Sequence, residues 1–497
     1  MLIARNTMAG RPCYRTAAAA AAAAPTTTRT FTTAGRLERR ARACIAVASS
    51  RAGPCHDRQQ QRRHASNQAT RPKTALFFPG QGVQKVGMLT PWLEAFPRTT
   101  APIVDEIDSV MGYSLSRLIA EGPNSVLSAT PHAQPAIMAT SILILRVLQV
   151  EFGFNAAAAA PATSTENRHN NNNNNKKNTG RGSSGRQLDI DIDFTLGHSL
   201  GEFAALVAGG YLPFADSLRI VHERAKIMAA ATAAAQAQHG GEYGMVAIVT
   251  EPAYLARVVE AVDEFTTHAR GGDDDDSGGA KASSTADATA EELDGGWGAA
   301  APIQLVKIAN VNSKNQIVLS GSIERIKTLV AHVRQFLGHD PRAVRLNSDS
   351  PFHSPIMRPA VAHVRRMLDE CDDKGRLGFP GCVTAVSNVT ARPFASRAQM
   401  KDLVARSCLE TVRWWDSIRY LDQREKVRRW IGIGPGKVGR NLVGKEVGMR
   451  GTDQVLGGGV WAITDPSEVE EVLRGLEITE GMLAEEERLI GEARGDV

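Results

Sequence analysis

Gly197-His198-Ser199-Leu200-Gly201 is the part of this sequence best suited to covalent chemistry. It fits G-x-S-x-G, with an apolar strand-like run, Ile190–Leu196, before it. Leu200, Phe203, Ala204 and Val207 follow at helical spacing. Glycines on both sides of the serine allow a strained strand-to-helix turn, which lifts Ser199 Oγ to the N-terminus of the helix. The Leu200 amide is then one of the unpaired donors at that N-terminus, placed to receive an oxyanion. A serine also needs a base. Of the 12 histidines, His353 is set apart by its rigid loop, Ser350-Pro351-Phe352-His353-Ser354-Pro355, where prolines restrict the backbone on either side. His198 sits beside the nucleophile and reads as a structural hydrogen-bonding residue. A short strand, Lys73–Pro79, leads into Gly80-Gln81-Gly82, which lacks both phosphate-loop patterns and suits a second oxyanion donor. Gly432-Ile433-Gly434-Pro435-Gly436-Lys437 reads as a structural turn, because Pro435 removes an N–H that a phosphate cradle would use.

These residues need a scaffold. The chain has 497 residues, 42% of them hydrophobic, enough for a large core. A helix is expected over Ala133–Val150. Further strands are expected at Met245–Val249, Gln304–Ala309, Gln316–Ser320, Val383–Val386 and Trp430–Gly432. Alternation of strands and helices predicts an α/β fold with a largely parallel sheet. From Pro466 onward the glutamate-rich tail predicts solvated helices. Two low-complexity stretches, 155–187 (Asn-rich) and 265–300 (Asp-rich), read as disordered inserts.

Charge is unevenly distributed. Residues 1–72 hold 13 Arg and no Lys against Glu38 and Asp57, while the whole chain is only +5, so the remainder is net acidic. The basic balance belongs to the leader and gives no support for nucleic-acid binding. An Arg-, Ala- and Thr-rich leader predicts a mitochondrial presequence and the mitochondrial matrix as location. No run of about 18 uninterrupted apolar residues predicts a membrane span. Cys371, Cys382 and Cys408 have no CxxC spacing, which argues against a zinc ribbon and fits a reducing compartment.

Nine segments in order carry a resemblance to the malonyl-CoA:acyl carrier protein transacylases: FFPGQGVQKVGM (77–88), HAQPAI (132–137), GHSLGEFAAL (197–206), ERAKIM (223–228), ANVNSKNQIVLSG (309–321), SPFHSPIM (350–357), VSNVTARP (386–393), VRWWDSI (412–418) and IGPGKV (433–438). The resemblance implies that Ser199 is the acylated nucleophile and His353 its base. It further implies that the Gln81 and Leu200 amides form the oxyanion hole, and that Arg224 holds the malonyl carboxylate. A carbonyl near RSCLETVRW, assigned to Ser407, would orient His353, with the Asp349 carboxylate as the rival. The implied fold is an α/β-hydrolase-like large subdomain (73–239 and 348–450) with a ferredoxin-like small subdomain (240–347) inserted, followed by an acidic extension (451–497). The implied partners are malonyl-CoA and acyl carrier protein. No metal or redox cofactor is expected, and the protein is expected to be a monomer. A serine thioester hydrolase and an acyltransferase serving a polyketide synthase are the alternative activities.

The physical case for Arg224 is independent. Malonyl and acetyl thioesters differ by one carboxylate, which a guanidinium can hold through two parallel N–H bonds.

Overall fold

The computed structural model describes residues 71–155, 190–268, 302–338 and 340–494, all within the compact unit Ala52–Val497. The leader and most of both low-complexity stretches lie outside the described residues.

The principal sheet grows from β1 (Lys73–Phe78), whose last five residues are all buried. A strand buried on both faces reads as a continuous apolar run, and TALFF is one. On one side β1 pairs in parallel with β2 (Phe194–Gly197), which brings Phe78 level with Gly197. The helices that follow in the chain include α1 (Thr130–Phe152), α2 (Gly201–Ala208) and α3 (Phe214–His239). By length and composition α1 could cross a membrane, yet most of it is buried inside the protein. It is the central core helix, packed along α3.

A second sheet follows directly. It is built from β3 (Tyr243–Val249), α4 (Leu255–His268), β4 (Val306–Ser313), β5 (Gln316–Ser322), α5 (Ile323–Leu337) and β6 (Arg342–Arg345). Its order is β4-β5-β3-β6, and every pair is antiparallel. One face closes on an apolar cluster that includes Ile248, Val258, Leu319 and Leu329. Helix α4 runs through Phe265 to His268, so the ordered chain extends into the stretch expected to be an insert. Phe265 explains this, because it packs on that cluster and carries the Arg325 guanidinium 4.1 Å over its ring.

The chain then returns to the principal sheet through α6 (Arg358–Asp373), β7 (Thr384–Ala385), α7 (Arg397–Arg406), α8 (Trp414–Arg419), β8 (Val427–Ile433), α9 (Val438–Val447), β9 (Gly451–Asp453), β10 (Gly458–Ile463) and α10 (Val469–Arg494). The six-stranded order is β9-β10-β8-β1-β2-β7, parallel except for the β9–β10 pair at one edge. The chain beyond Gly451 is therefore no appendage. Val460, Trp461 and Ile463 are buried in β10, and Val469, Val472 and Leu476 bury one face of α10. GGGVWAI is too short and glycine-rich to announce a strand by itself. Parallel pairing with β8 supplies what local propensity lacks.

Candidate active site

Ser199 occupies a left-handed turn between β2 and α2, at φ 52°. Its neighbours make the glycines obligatory. A Cβ on Gly197 would lie 1.9 Å from the Gly201 carbonyl oxygen, and one on Gly201 would lie 2.6 Å from the carbonyls of Phe78 and Pro79. His353, at φ 58°, is held in the same strained region by its Pro-bracketed loop. Although 154 positions separate them, Ser199 Oγ and His353 Nε2 stand 2.8 Å apart.

The opposite ring nitrogen decides the tautomer. His353 Nδ1–H donates to the Glu410 carbonyl at 3.0 Å, which leaves Nε2 as the acceptor of the serine proton. This corrects the assignment to Ser407. Helix α7 ends at Arg406, but the chain keeps coiling, with the Leu409 and Glu410 amides both donating to the Arg406 carbonyl. The carbonyl delivered to the ring is one turn further on than the helix boundary suggests. That of Ser407 acts on the ring more weakly than that of Glu410. Asp349 is not the orienting group either, since its carboxylate accepts from the Thr130 amide at 2.9 Å and from the Thr130 hydroxyl.

Burial pushes the His353 imidazole down to about 3, with the Arg224 and His198 charges adding to the effect. The imidazole is therefore neutral throughout the physiological range, with Nε2 unprotonated. Burial also pushes the nearby Cys408 thiol up, so it stays protonated and offers no competing thiolate.

Gln81 lines the cleft, and Leu200 is the N-cap of α2. Among the described residues, neither amide has a backbone acceptor, which leaves both donors available to an oxyanion. The Gly434 turn supports this loop, as expected of a structural element. A Cβ on Gly434 would press within 2.9 Å of Pro79, and the glycine sits at φ 128°. The cleft has a volume of about 290 Å³ and takes its walls from both sheets, with Ser199, His353 and Gln81 facing Met245, Asn312 and Val318. His198 also lines it, and its Nε2 stands 2.9 Å from Asn312 Oδ1, the structural bond expected of it.

Arg224, on α3, is 1% exposed. Its Nη1 donates to Gln134 Oε1 at 2.5 Å, while Nε is buried without a hydrogen-bond partner among the described residues. No carboxylate there forms an ion pair with it. Arg224 does not line the cleft itself, but its charge reaches His353, Glu202 and Cys408. A buried guanidinium without a counter-ion is costly, and it suits a site whose carboxylate arrives with the substrate.

Two residues behind the nucleophile were not singled out from the sequence. Asn388 Oδ1 accepts from the Ser199 amide at 3.1 Å, and its Nδ2 donates to the Gly197 carbonyl at 2.9 Å, so one side chain braces both ends of the strained turn. Glu202 Oε1 accepts from the Asn388 amide at 2.8 Å. Both lie inside segments already noted, GHSLGEFAAL and VSNVTARP. Their signal was a polar residue embedded among core positions.

Burial raises the Glu202 carboxyl from 4.5 to about 7, against the lowering effects of Asn388 and Arg224. A raised acid binds more protons folded than unfolded, so its contribution is intact below pH 4.5 and is lost as pH rises through 7. Depressed His353 acts oppositely, since protons favour the unfolded chain as pH falls below 6.5 toward 3. Glu202→Gln removes only the first effect. The melting temperature of the variant relative to the wild type is expected to rise between pH 5 and pH 8. A constant difference would show that Glu202 does not titrate there.

No family model matches the chain. The malonyl CoA-acyl carrier protein transacylase of Bacillus subtilis (strain 168) is 31% identical over 404 residues, which cover 81% of this chain and 97% of the relative. The chain belongs to the malonyl CoA-acyl carrier protein transacylases. A transacylase described as a polyketide biosynthesis protein, from Bacillus velezensis, is 27% identical over 74% of this chain and 94% of its own. The crystal structure of an acyl-carrier-protein-S-malonyltransferase from Bartonella henselae covers 82% of this chain and 99% of its own, with a TM-score of 0.57 at 26% identity. Each of these relatives is matched over nearly its whole length.

Proposed function

We propose that this enzyme transfers the malonyl group of malonyl-CoA to the phosphopantetheine thiol of acyl carrier protein, for fatty acid synthesis, through a malonyl ester of Ser199. Ser199 Oγ attacks the thioester carbonyl while His353 Nε2 takes its proton, and the Leu200 and Gln81 amides hold the oxyanion. The C–S bond breaks, and His353 returns the proton to the departing CoA sulfur. The carrier thiol then gives its proton to His353 and attacks the ester carbonyl; the C–Oγ bond breaks, and His353 returns the proton to Ser199 Oγ. Bonds and protons balance with these groups alone, so the cycle as written uses no metal or redox cofactor. Arg224 receives the malonyl carboxylate. The observation that carries the reading is the 2.8 Å Ser199–His353 pair beside a buried arginine that forms no ion pair with a carboxylate among the described residues.

The order β4-β5-β3-β6, with a helix after β3 and another after β5, supports a ferredoxin-like small subdomain. It is inserted in an α/β-hydrolase-like large one. The Arg-rich leader supports import into the mitochondrial matrix, and the protein is proposed to act as a monomer.

An assay of CoA release with and without acyl carrier protein separates transfer from hydrolysis. The expected result is release that depends on the carrier and stays stoichiometric with the enzyme in its absence. Sustained turnover without the carrier would identify a thioester hydrolase instead.

A further inference from the structure

Helix α1 begins with no cap of its own. The N-cap residue, Ala129, makes no side-chain capping bond, and the first turn contains no acid. The missing acceptor comes from 219 positions away, where Asp349 Oδ2 takes the Thr130 amide at 2.9 Å. The same carboxylate also takes the Thr130 hydroxyl, and the Ser350 hydroxyl at 3.1 Å.

From Thr130 a chain of hydrogen bonds runs inward. Thr130 Oγ1 accepts from Gln81 Nε2 at 3.1 Å, Gln81 Oε1 accepts from Gln134 Nε2 at 3.2 Å, and Gln134 Oε1 accepts from Arg224 Nη1 at 2.5 Å. The two ends fix its polarity. A guanidinium can only donate and an ionised carboxylate can only accept, so every amide and hydroxyl between them has one satisfactory orientation. Thr130, Gln134 and Arg224 are almost wholly buried, and of the links inward of Asp349 only Gln81, half-buried on the cleft wall, can be reached by water. Asp349 itself is exposed, which places the negative end where its charge remains hydrated.

We infer that Thr130 and Asp349 are positioning residues for substrate selection, aiming Arg224 at the acyl carboxylate through Gln81 and Gln134. This rests on the malonyl-transfer reading above. Asp349, a rival for orienting His353 on sequence grounds, thus acts at the other end of the site.

Thr130→Val tests the chain cleanly. It deletes the hydroxyl at nearly constant volume and leaves the backbone amide on Asp349, so the helix cap survives. The ratio of kcat/KM for malonyl-CoA to that for acetyl-CoA is expected to fall about five-fold, mainly through a higher KM for malonyl-CoA. Thr130→Ser, which keeps the hydroxyl, is expected to hold the ratio. Asp349→Ala is expected to shift it the same way while also lowering the melting temperature. A Thr130→Val ratio within two-fold of wild type, or equal loss on both substrates, overturns the inference. Absence of malonyl transfer in the wild type would instead refute the reading on which it rests. Should Thr130→Val fail to fold, the ratios of Thr130→Ser and Asp349→Asn decide the matter. Retention by Thr130→Ser with a fall in Asp349→Asn supports the inference, and no change in Asp349→Asn overturns it.

Discussion

Ser199→Ala is expected to lower malonyl transfer by about 10⁴-fold or more while leaving the fold intact. Among the described residues the hydroxyl makes one hydrogen bond, to His353 Nε2, whereas the turn is braced by backbone contacts to Asn388 that alanine retains. Removing the nucleophile of a serine enzyme costs rates of this order, because the oxyanion donors and the base have nothing to act through. His353→Ala should come close to the same loss, since the pair works as a unit and the two deletions should not add. Transfer kinetics together with a melting curve distinguish this from unfolding. Retention of a tenth of the wild-type rate by a folded Ser199→Ala protein would place the acyl group elsewhere.

The second large effect concerns Arg224. Arg224→Ala should reduce kcat/KM for malonyl-CoA by about 10- to 150-fold, the worth of hydrogen bonds to a charged group, and leave acetyl transfer unchanged or improved. Because burial excludes water around Arg224, the upper end of that range is expected. A further consequence has a definite sign. The Arg224 charge helps depress His353, so its removal should let the imidazole pick up protons at higher pH and move the acid limb of acetyl transfer upward. Equal loss on both substrates, with no shift of that limb, would show that the arginine is structural.

The elements that could be read from sequence were those with a local cause. KTALFF reads as a doubly buried strand because every residue after Lys73 is apolar or small, and the structure buries them all. The elbow around Ser199 was legible because only glycine tolerates the 1.9 Å and 2.6 Å approaches at positions 197 and 201. His353 was legible from its prolines. Features set by distant partners were not. Strand β10 depends on β8 for its register. The His353 acceptor moved from Ser407 to Glu410 because a chain can continue coiling past the end of a helix without any change in composition. Asn388 and Asp349 act on residues 189 and 219 positions away, and no spacing rule connects them.

Mass spectrometry of the enzyme after brief exposure to malonyl-CoA tests the central claim most directly. The account predicts one malonyl group per chain, located on the peptide that contains Ser199 and discharged when acyl carrier protein bearing its phosphopantetheine thiol is added. A malonyl group found on any other residue, or one on Ser199 that water removes as fast as the carrier does, would contradict it.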